Sequence, residues 1–222
     1  GMENPCVLLF LKAPEIGRVK TRLSKDLNPR TGIDLYRCFV SDILSTLEKT
    51  GLSIILCHDP PDDPKAIRRW LGNRHPLMPQ HAGDLGERMA DAFRNCFSRG
   101  FDRAVLIGTD IPDLPPAFLR EAFSRLKEHP VVLGPAEDGG YYLIGFRSDS
   151  FIPEVFKEIS WSTPSVLEQT RDILKTLGRS CYLLPIWKDI DTVVNLKALS
   201  KNPYSRRNAP NTLAYLSKMG LN

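Results

Sequence analysis

Residues 103–110 read RAVLIGTD, an apolar run too short for a helix, closed by a glycine and then by a carboxylate. A continuous run of this length fits a strand buried on both faces, the kind found in parallel sheets. Working outward, similar runs occur at 5–11 (PCVLLFL), 52–57, 131–134, 141–146 and 181–185, with a brief one at 77–80. Between them the apolar residues fall at helical spacing. The segment 30–50 places Ile33, Tyr36, Val40, Ile43, Leu44 and Leu47 on one face, and 84–99 does the same with Leu85, Met89, Phe93 and Phe97. Asp84 followed by Glu87 resembles a capping box. Further helices are expected at 64–71, at 115–128, from a Ser162 or Thr163 cap through Pro164 to Leu177, and at 193–200 and 209–219. Strand and helix alternate throughout, so the expectation is an α/β fold with helices on both faces of a mostly parallel sheet.

The chain has 222 residues, 42% hydrophobic and 25% charged, which suits one domain with a sizeable core. We expect a core at about 5–200 with a C-terminal helical extension at 201–222. The Pro/Arg/Asn segment 201–210 is the one linker candidate. A net charge of +4 excludes a protein that coats polyanions, and no basic stripe interleaved with aromatics suggests a polynucleotide partner. No apolar run reaches the roughly 18 residues that span a bilayer. Gly1 ahead of Met2 is set aside as foreign to the natural chain, and no basic segment precedes the first apolar run, so no signal peptide is expected. Five scattered cysteines without a C-x-x-C pair fit a reducing cytoplasm and give no sign of a Zn site.

In open α/β sheets, ligands bind beyond the carboxyl ends of the strands. Four loops there carry chemistry. Residues 12–23 (KAPEIGRVKTRL) set Arg18, Lys20 and Arg22 at alternating positions, either to hold phosphate oxygens or as a solvated basic loop. The segment matches neither the Walker loop nor the dinucleotide fingerprint. Asp110 ends a buried strand, where it can hold a divalent cation or make a turn. Asp113 is placed to cap the helix that follows. Residues 134–142 (GPAEDGGYY) combine Glu137, Asp138, Gly139, Gly140 and Tyr141, a segment equally suited to a ligand and to a plain hairpin turn. Asp189 and Asp191 alternate after the last strand, and Asp191 can cap the next helix or bind metal. Cys57-His58 reads as the end of a core strand.

Taken in order, 12–23, QHAGDLGERM (80–89), GTDIPDL (108–114), GPAEDGGYYLIG (134–145), WST (161–163) and DIDT (189–192) resemble a small bacterial family in the GT-A nucleotide-diphospho-sugar transferase superfamily. The match runs from about Cys6 to Leu199, and the chain is more distantly similar to guanylyl- and cytidylyltransferases. The resemblance implies a GT-A (Rossmann-like) α/β/α domain with one antiparallel strand. It implies nucleotide contacts at Lys12, Ala13, Pro14, Gly17, Lys20, Arg22, Gln80, Gly86 and Arg88. It also implies Mg²⁺ or Mn²⁺ on Asp110 and Asp191, and a second substrate near Glu137, Gly139, Gly140, Tyr141 and Trp161. Lys20, Asp110 and Asp138 are the expected catalytic groups. Relatives often carry D-T-x-x-D-L where this chain has Asn195. The implied activity is transfer from a nucleotide-sugar donor to a small-molecule acceptor. The alternatives are nucleotidyl transfer from an NTP with release of pyrophosphate, and a non-catalytic nucleotide-binding module.

Overall fold

The first strand explains the architecture. Residues 6–9 have no solvent exposure, because both faces of the strand are covered and its two neighbours run parallel to it. The structure is a computed structural model that describes residues 3–222, leaving Gly1 and Met2 outside it. The strands are β1 (Pro5–Lys12), β2 (Ser53–Asp59), β3 (Leu77–Pro79), β4 (Arg103–Ile107), β5 (Val131–Pro135), β6 (Tyr141–Arg147) and β7 (Cys181–Leu183). They form one sheet in the order β3-β2-β1-β4-β6-β5-β7. Only β6 runs against its neighbours, β4 and β5, as the resemblance implied.

The helices are α1 (Thr21–Asp26), α2 (Pro29–Thr50), α3 (Pro64–Leu71), α4 (Leu85–Ser98), α5 (Pro116–Arg125), α6 (Val166–Thr176), α7 (Val193–Leu199), α8 (Pro203–Asn208) and α9 (Pro210–Lys218). One face of the sheet packs on α2, α3 and α5 through Tyr36, Leu47, Ile67 and Phe123. The other packs on α4, α6 and the 3₁₀ turn Pro153–Phe156, with Phe93, Phe146 and Phe156 at its centre. A third cluster joins Leu23, Leu35 and Phe39 to Ile190, Leu196, Leu199 and Leu216, so the C-terminal helices close over α1 and α2. Among the described residues, no helix is long and apolar enough to cross a membrane.

Four local expectations change. The 201–210 segment is not an extended linker: Asn202 accepts from the Tyr204 N–H, Pro203 opens α8, and Ser205 is buried. Residues 21–23, read as the end of the first loop, instead open α1. Asp113 does not cap α5, which starts after Pro115 without a side-chain cap; its buried carboxylate accepts from Trp187 Nε1 at 3.0 Å instead. Finally, Pro164 precedes α6 rather than opening it. Ser162 is left-handed (φ 62°), and the Leu167 N–H is taken by the Gly139 carbonyl at 2.9 Å.

Candidate active site

The site is assembled from loops that leave the carboxyl edge of β1, β4 and β5. After β1, the Tyr36 hydroxyl clasps the backbone of Lys12, accepting from its N–H (2.7 Å) and donating to its carbonyl (2.9 Å). The Ala13 N–H donates to the Asp59 carbonyl. Ala13 is buried, Pro14 partly so, and Gly17 turns the chain at φ 82°. Arg18 pairs with Glu15 at 3.1 Å, and Arg22 is exposed on the first turn of α1.

Lys20 sits just before α1 in the left-handed region, φ 48° and ψ 45°. That conformation costs a non-glycine residue about 1–2 kcal/mol, and such costs are concentrated at functional sites. Its side chain is only 3% exposed. The ammonium donates to Asp110 Oδ1 and, at 2.8 Å, to the Ile190 carbonyl, and it lies 4.5 Å from the centre of the Phe39 ring. A cation over an aromatic face gains further stabilisation. The Ile190 N–H in turn donates to the Asp110 carbonyl at 2.8 Å, so the end of β4 and the 189–191 segment are stitched together through backbone and side chain.

The 189–191 segment is delivered by Trp187, whose backbone pairs with Pro135 and Glu137 and whose ring is held by Asp113 and Phe118. Beyond it, Thr192 caps α7. Asn195 Oδ1 accepts from the N–H groups of Thr192 (3.1 Å) and Asp191 (3.0 Å), closing a capping box. Asn195 thus fixes the backbone of Asp191 without adding charge.

Three carboxylates, those of Asp138, Asp189 and Asp191, offer oxygens within 4.8 Å of one another. Burial pushes Asp189 up to about 8, and Asp110, Asp191 and Asp138 add to the rise. Burial and the neighbouring Asp110 push Asp191 up to about 6, opposed by Lys20 and Arg22. Carboxylates crowded and desolvated in this way favour a proton or a cation between them. An all-oxygen donor set suits Mg²⁺ or Mn²⁺, and the residues therefore fit the ion that the resemblance implied. Asp110 lies beside Asp191 but outside the three-carboxylate group, with Lys20 as its partner.

Asp138 is set by its turn. Gly139 has φ 93°, and a Cβ there would come within 2.1 Å of the Pro164 carbonyl oxygen, so only glycine fits. The Gly140 N–H donates to Asp138 Oδ1 at 3.0 Å, and Glu137 pairs with Lys188 at 3.6 Å. On the α4 side, Gln80 donates to the Leu11 and Cys57 carbonyls and accepts from Arg88 at 2.9 Å. It ties the ends of β1 and β2 to α4. Gly86 lets Trp161 pack on α4, since a Cβ there would meet the indole at 2.8 Å and the Phe156 carbonyl at 2.4 Å. Glu158 and Ser162, on either side of Trp161, are both left-handed. Tyr141 Oη, Trp161 Nε1 and Arg88 Nε are buried without hydrogen-bond partners.

The structure therefore brings Lys20, Asp110, Asp138 and Asp191 to one edge and adds Asp189. The only sequence signal for Asp189 was its alternation with Asp191. Gln80 and Gly86 act within the protein as scaffold contacts.

Residues 43–163 match a bacterial family described as an uncharacterized protein conserved in bacteria, DUF2064. The chain belongs to the DUF2064 family. This DUF2064 chain is 40% identical to a Desulfovibrio desulfuricans G20 protein provisionally described as a nucleotide-diphospho-sugar transferase. The likeness covers 98% of this chain and 96% of that one, with a TM-score of 0.91. The fold is shared at 8% identity with 4-diphosphocytidyl-2C-methyl-D-erythritol synthase from Anaerococcus prevotii DSM 20548 (88% and 95% covered, TM-score 0.57). It is shared at 11% identity with CMP:2-keto-3-deoxy-manno-octonic acid synthetase complexed with CTP (90% and 98% covered, TM-score 0.54). A search of curated protein sequences finds no match. This DUF2064 member thus has the fold of nucleotide-diphospho-sugar transferases.

Proposed function

We propose that the chain is a metal-dependent transferase that moves the sugar of a nucleotide-diphospho-sugar to a small acceptor. The observation that carries this reading is the convergence of Asp138, Asp189 and Asp191 at the carboxyl edge, beside Lys20 and Asp110. The end-to-end likeness to the Desulfovibrio protein supports the class of donor. In the reaction, the acceptor oxygen bonds to the anomeric carbon as the bond to the diphosphate breaks. The acceptor proton passes to a carboxylate, for which the exposed Asp138 is placed. A divalent ion, when bound, would neutralise the departing diphosphate. Arg22 and Lys12, both exposed, would meet phosphate oxygens, and the unmet donors of Tyr141 and Trp161 are candidates for the second substrate. An unmet buried donor costs about 1–3 kcal/mol, so a partner arriving with a ligand gains from each.

Thermal shift tests this directly, with NTPs, NDPs and NDP-sugars, each with and without Mg²⁺ or Mn²⁺. Saturation at one hundred times Kd stabilises the folded state by about 2.7 kcal/mol. A metal-dependent shift with one nucleotide class supports the reading, whereas no shift with any of them rejects it. Nucleotidyl transfer is the second reading, favoured by the exposed cations Lys12, Arg18 and Arg22 of the first loop, which suit a triphosphate. There an acceptor phosphate oxygen bonds to the α-phosphorus and pyrophosphate leaves, so pyrophosphate release from NTPs separates the two.

A further inference from the structure

We infer that Lys20 is the resident counter-cation of Asp110, so that a divalent ion competes with Lys20 for this carboxylate and gains it as a full-strength ligand when the ammonium moves away. This rests on the metal reading above and concerns how the chain controls that metal. All three directions open to the ammonium are used within the protein. Two are hydrogen bonds, to Asp110 Oδ1 and to the Ile190 carbonyl, and the third side lies on the Phe39 ring. The ammonium is also far more deeply buried than its partner: the side chains are 3% and 44% exposed. It is therefore a built-in charge of this edge rather than a surface lysine that happens to lie nearby.

Its place matters because four carboxylates meet here. Asp138, Asp189 and Asp191 form one group, and Asp110 flanks it beside Asp191. An ammonium on one oxygen of a carboxylate weakens that group as a ligand for a divalent ion, because the two positive charges repel and the oxygen tied to Nζ has lost much of its donor strength. In the ligand-free chain a metal accordingly uses the Asp138, Asp189 and Asp191 group and leaves Asp110 to Lys20. Lys20 also donates to the Ile190 carbonyl, between Asp189 and Asp191. Whatever pulls the ammonium away, such as a phosphate oxygen, loosens this tie and offers Asp110 to the metal in the same event. Coupling of this kind is reciprocal: metal on Asp110 favours release of Lys20, and release of Lys20 favours metal.

Mn²⁺ titration of the nucleotide-free protein, with free Mn²⁺ followed by electron paramagnetic resonance, tests the inference with wild type, Lys20→Met and Lys20→Met/Asp110→Asn. Methionine keeps an unbranched apolar stem against Phe39 while removing the charge. We expect Lys20→Met to bind Mn²⁺ at least tenfold more tightly than wild type, because a fourth carboxylate is released. The double variant removes both charges of the pair and leaves net charge unchanged. It should return to within threefold of wild type. Removing both charges leaves no unpaired Asp110 beside the other carboxylates, so the double variant decides the matter even where Lys20→Met fails to fold. Asp110 is already a ligand, and the inference falls, if the double variant binds Mn²⁺ tenfold or more weakly than wild type. It falls equally if Lys20→Met binds no more tightly. If none of the three proteins binds Mn²⁺, the metal reading itself fails and takes this inference with it.

Discussion

Asp42 and Asp189 stand at opposite ends of the logic of this fold. Asp42, on α2, has no solvent exposure and accepts four hydrogen bonds: from the Asn211 N–H (3.0 Å) and Nδ2 (2.9 Å), and from the Thr212 N–H (2.8 Å) and Oγ1 (2.7 Å). It caps α9 from 169 residues away, where α9 has no side-chain cap of its own. Burial still raises its pKa, with all four donors opposing the rise. Asp189 is also burial-shifted, but its neighbours are other carboxylates, and the cation Lys20 opposes the rise only as the smallest of its main influences. The same functional group is a clasp where donors converge on it and a site where acceptors do. Donor supply, more than burial, separates a structural acid from a functional one.

The comparison breaks first at Asp42. Asp42→Ala should cost about 3 kcal/mol, since a charged acceptor is lost and buried donors are stranded. At roughly 2–4 °C per kcal/mol for a chain of this size, that is a fall of about 6–12 °C in Tm. A loss under about 1 kcal/mol in denaturant unfolding would show the clasp to be incidental.

The pH dependence of the metal-free chain sharpens the contrast. Asp189 holds its proton in the folded state up to about 8, while the unfolded chain releases it near the ordinary carboxylate value of 3.8. The folded state therefore binds more protons across that window, and stability falls as pH rises through it. Asp189→Asn should flatten the slope by about 1–2 kcal/mol between pH 5 and 9, allowing for solvent relaxation around a partly exposed group. An unchanged slope in urea unfolding would mean that water reaches Asp189 more freely than its burial in the structure allows.

Gly86→Ala probes the packing beneath Trp161. The added methyl group should cost about 1–3 kcal/mol through overpacking and change the fluorescence of Trp161. Unperturbed stability and emission would mean that the indole has room to move. The smallest effect is expected at Asn195. Asn195→Ala removes one half of the α7 capping box and should cost about 0.5–1 kcal/mol. Its signature is a weaker Mn²⁺ affinity, because the backbone of Asp191 loses its anchor. Asn195→Asp should restore the cap.

Strands and long helices were legible because their apolar runs and periodicities are local properties. The expected bounds 64–71 and 77–80 were met closely for the same reason. Two of the short helices were not: α1 buries a single hydrophobic residue, Leu23, and α8 none, so neither carries a stripe to read. The start of α6 was misread because Ser162, Thr163 and Pro164 make a sound local cap signal, and a carbonyl from Gly139 overrides it. At the site, the residue types and the sheet edge could be read from the chain. The partnerships could not. Lys20 meets Asp110 across 90 positions, and Asp138 joins Asp189 only because β5 and the segment after β7 run side by side. Among the described residues, the three non-glycine residues with positive φ are Lys20, Glu158 and Ser162, all within or beside segments that the resemblance had marked.

The clasp at Asp42 has a consequence for how the molecule is made. Phe39, which lies on Lys20, shares its apolar cluster with Leu216 of α9, and α9 is fixed to α2 by Thr212, 170 positions beyond Asp42. During translation the first loop and α2 emerge early, yet the cluster around Phe39 lacks Leu216 until α9 has left the ribosome tunnel. A nascent chain can thus complete its sheet well before α9 closes the apolar cluster beside its charge pair.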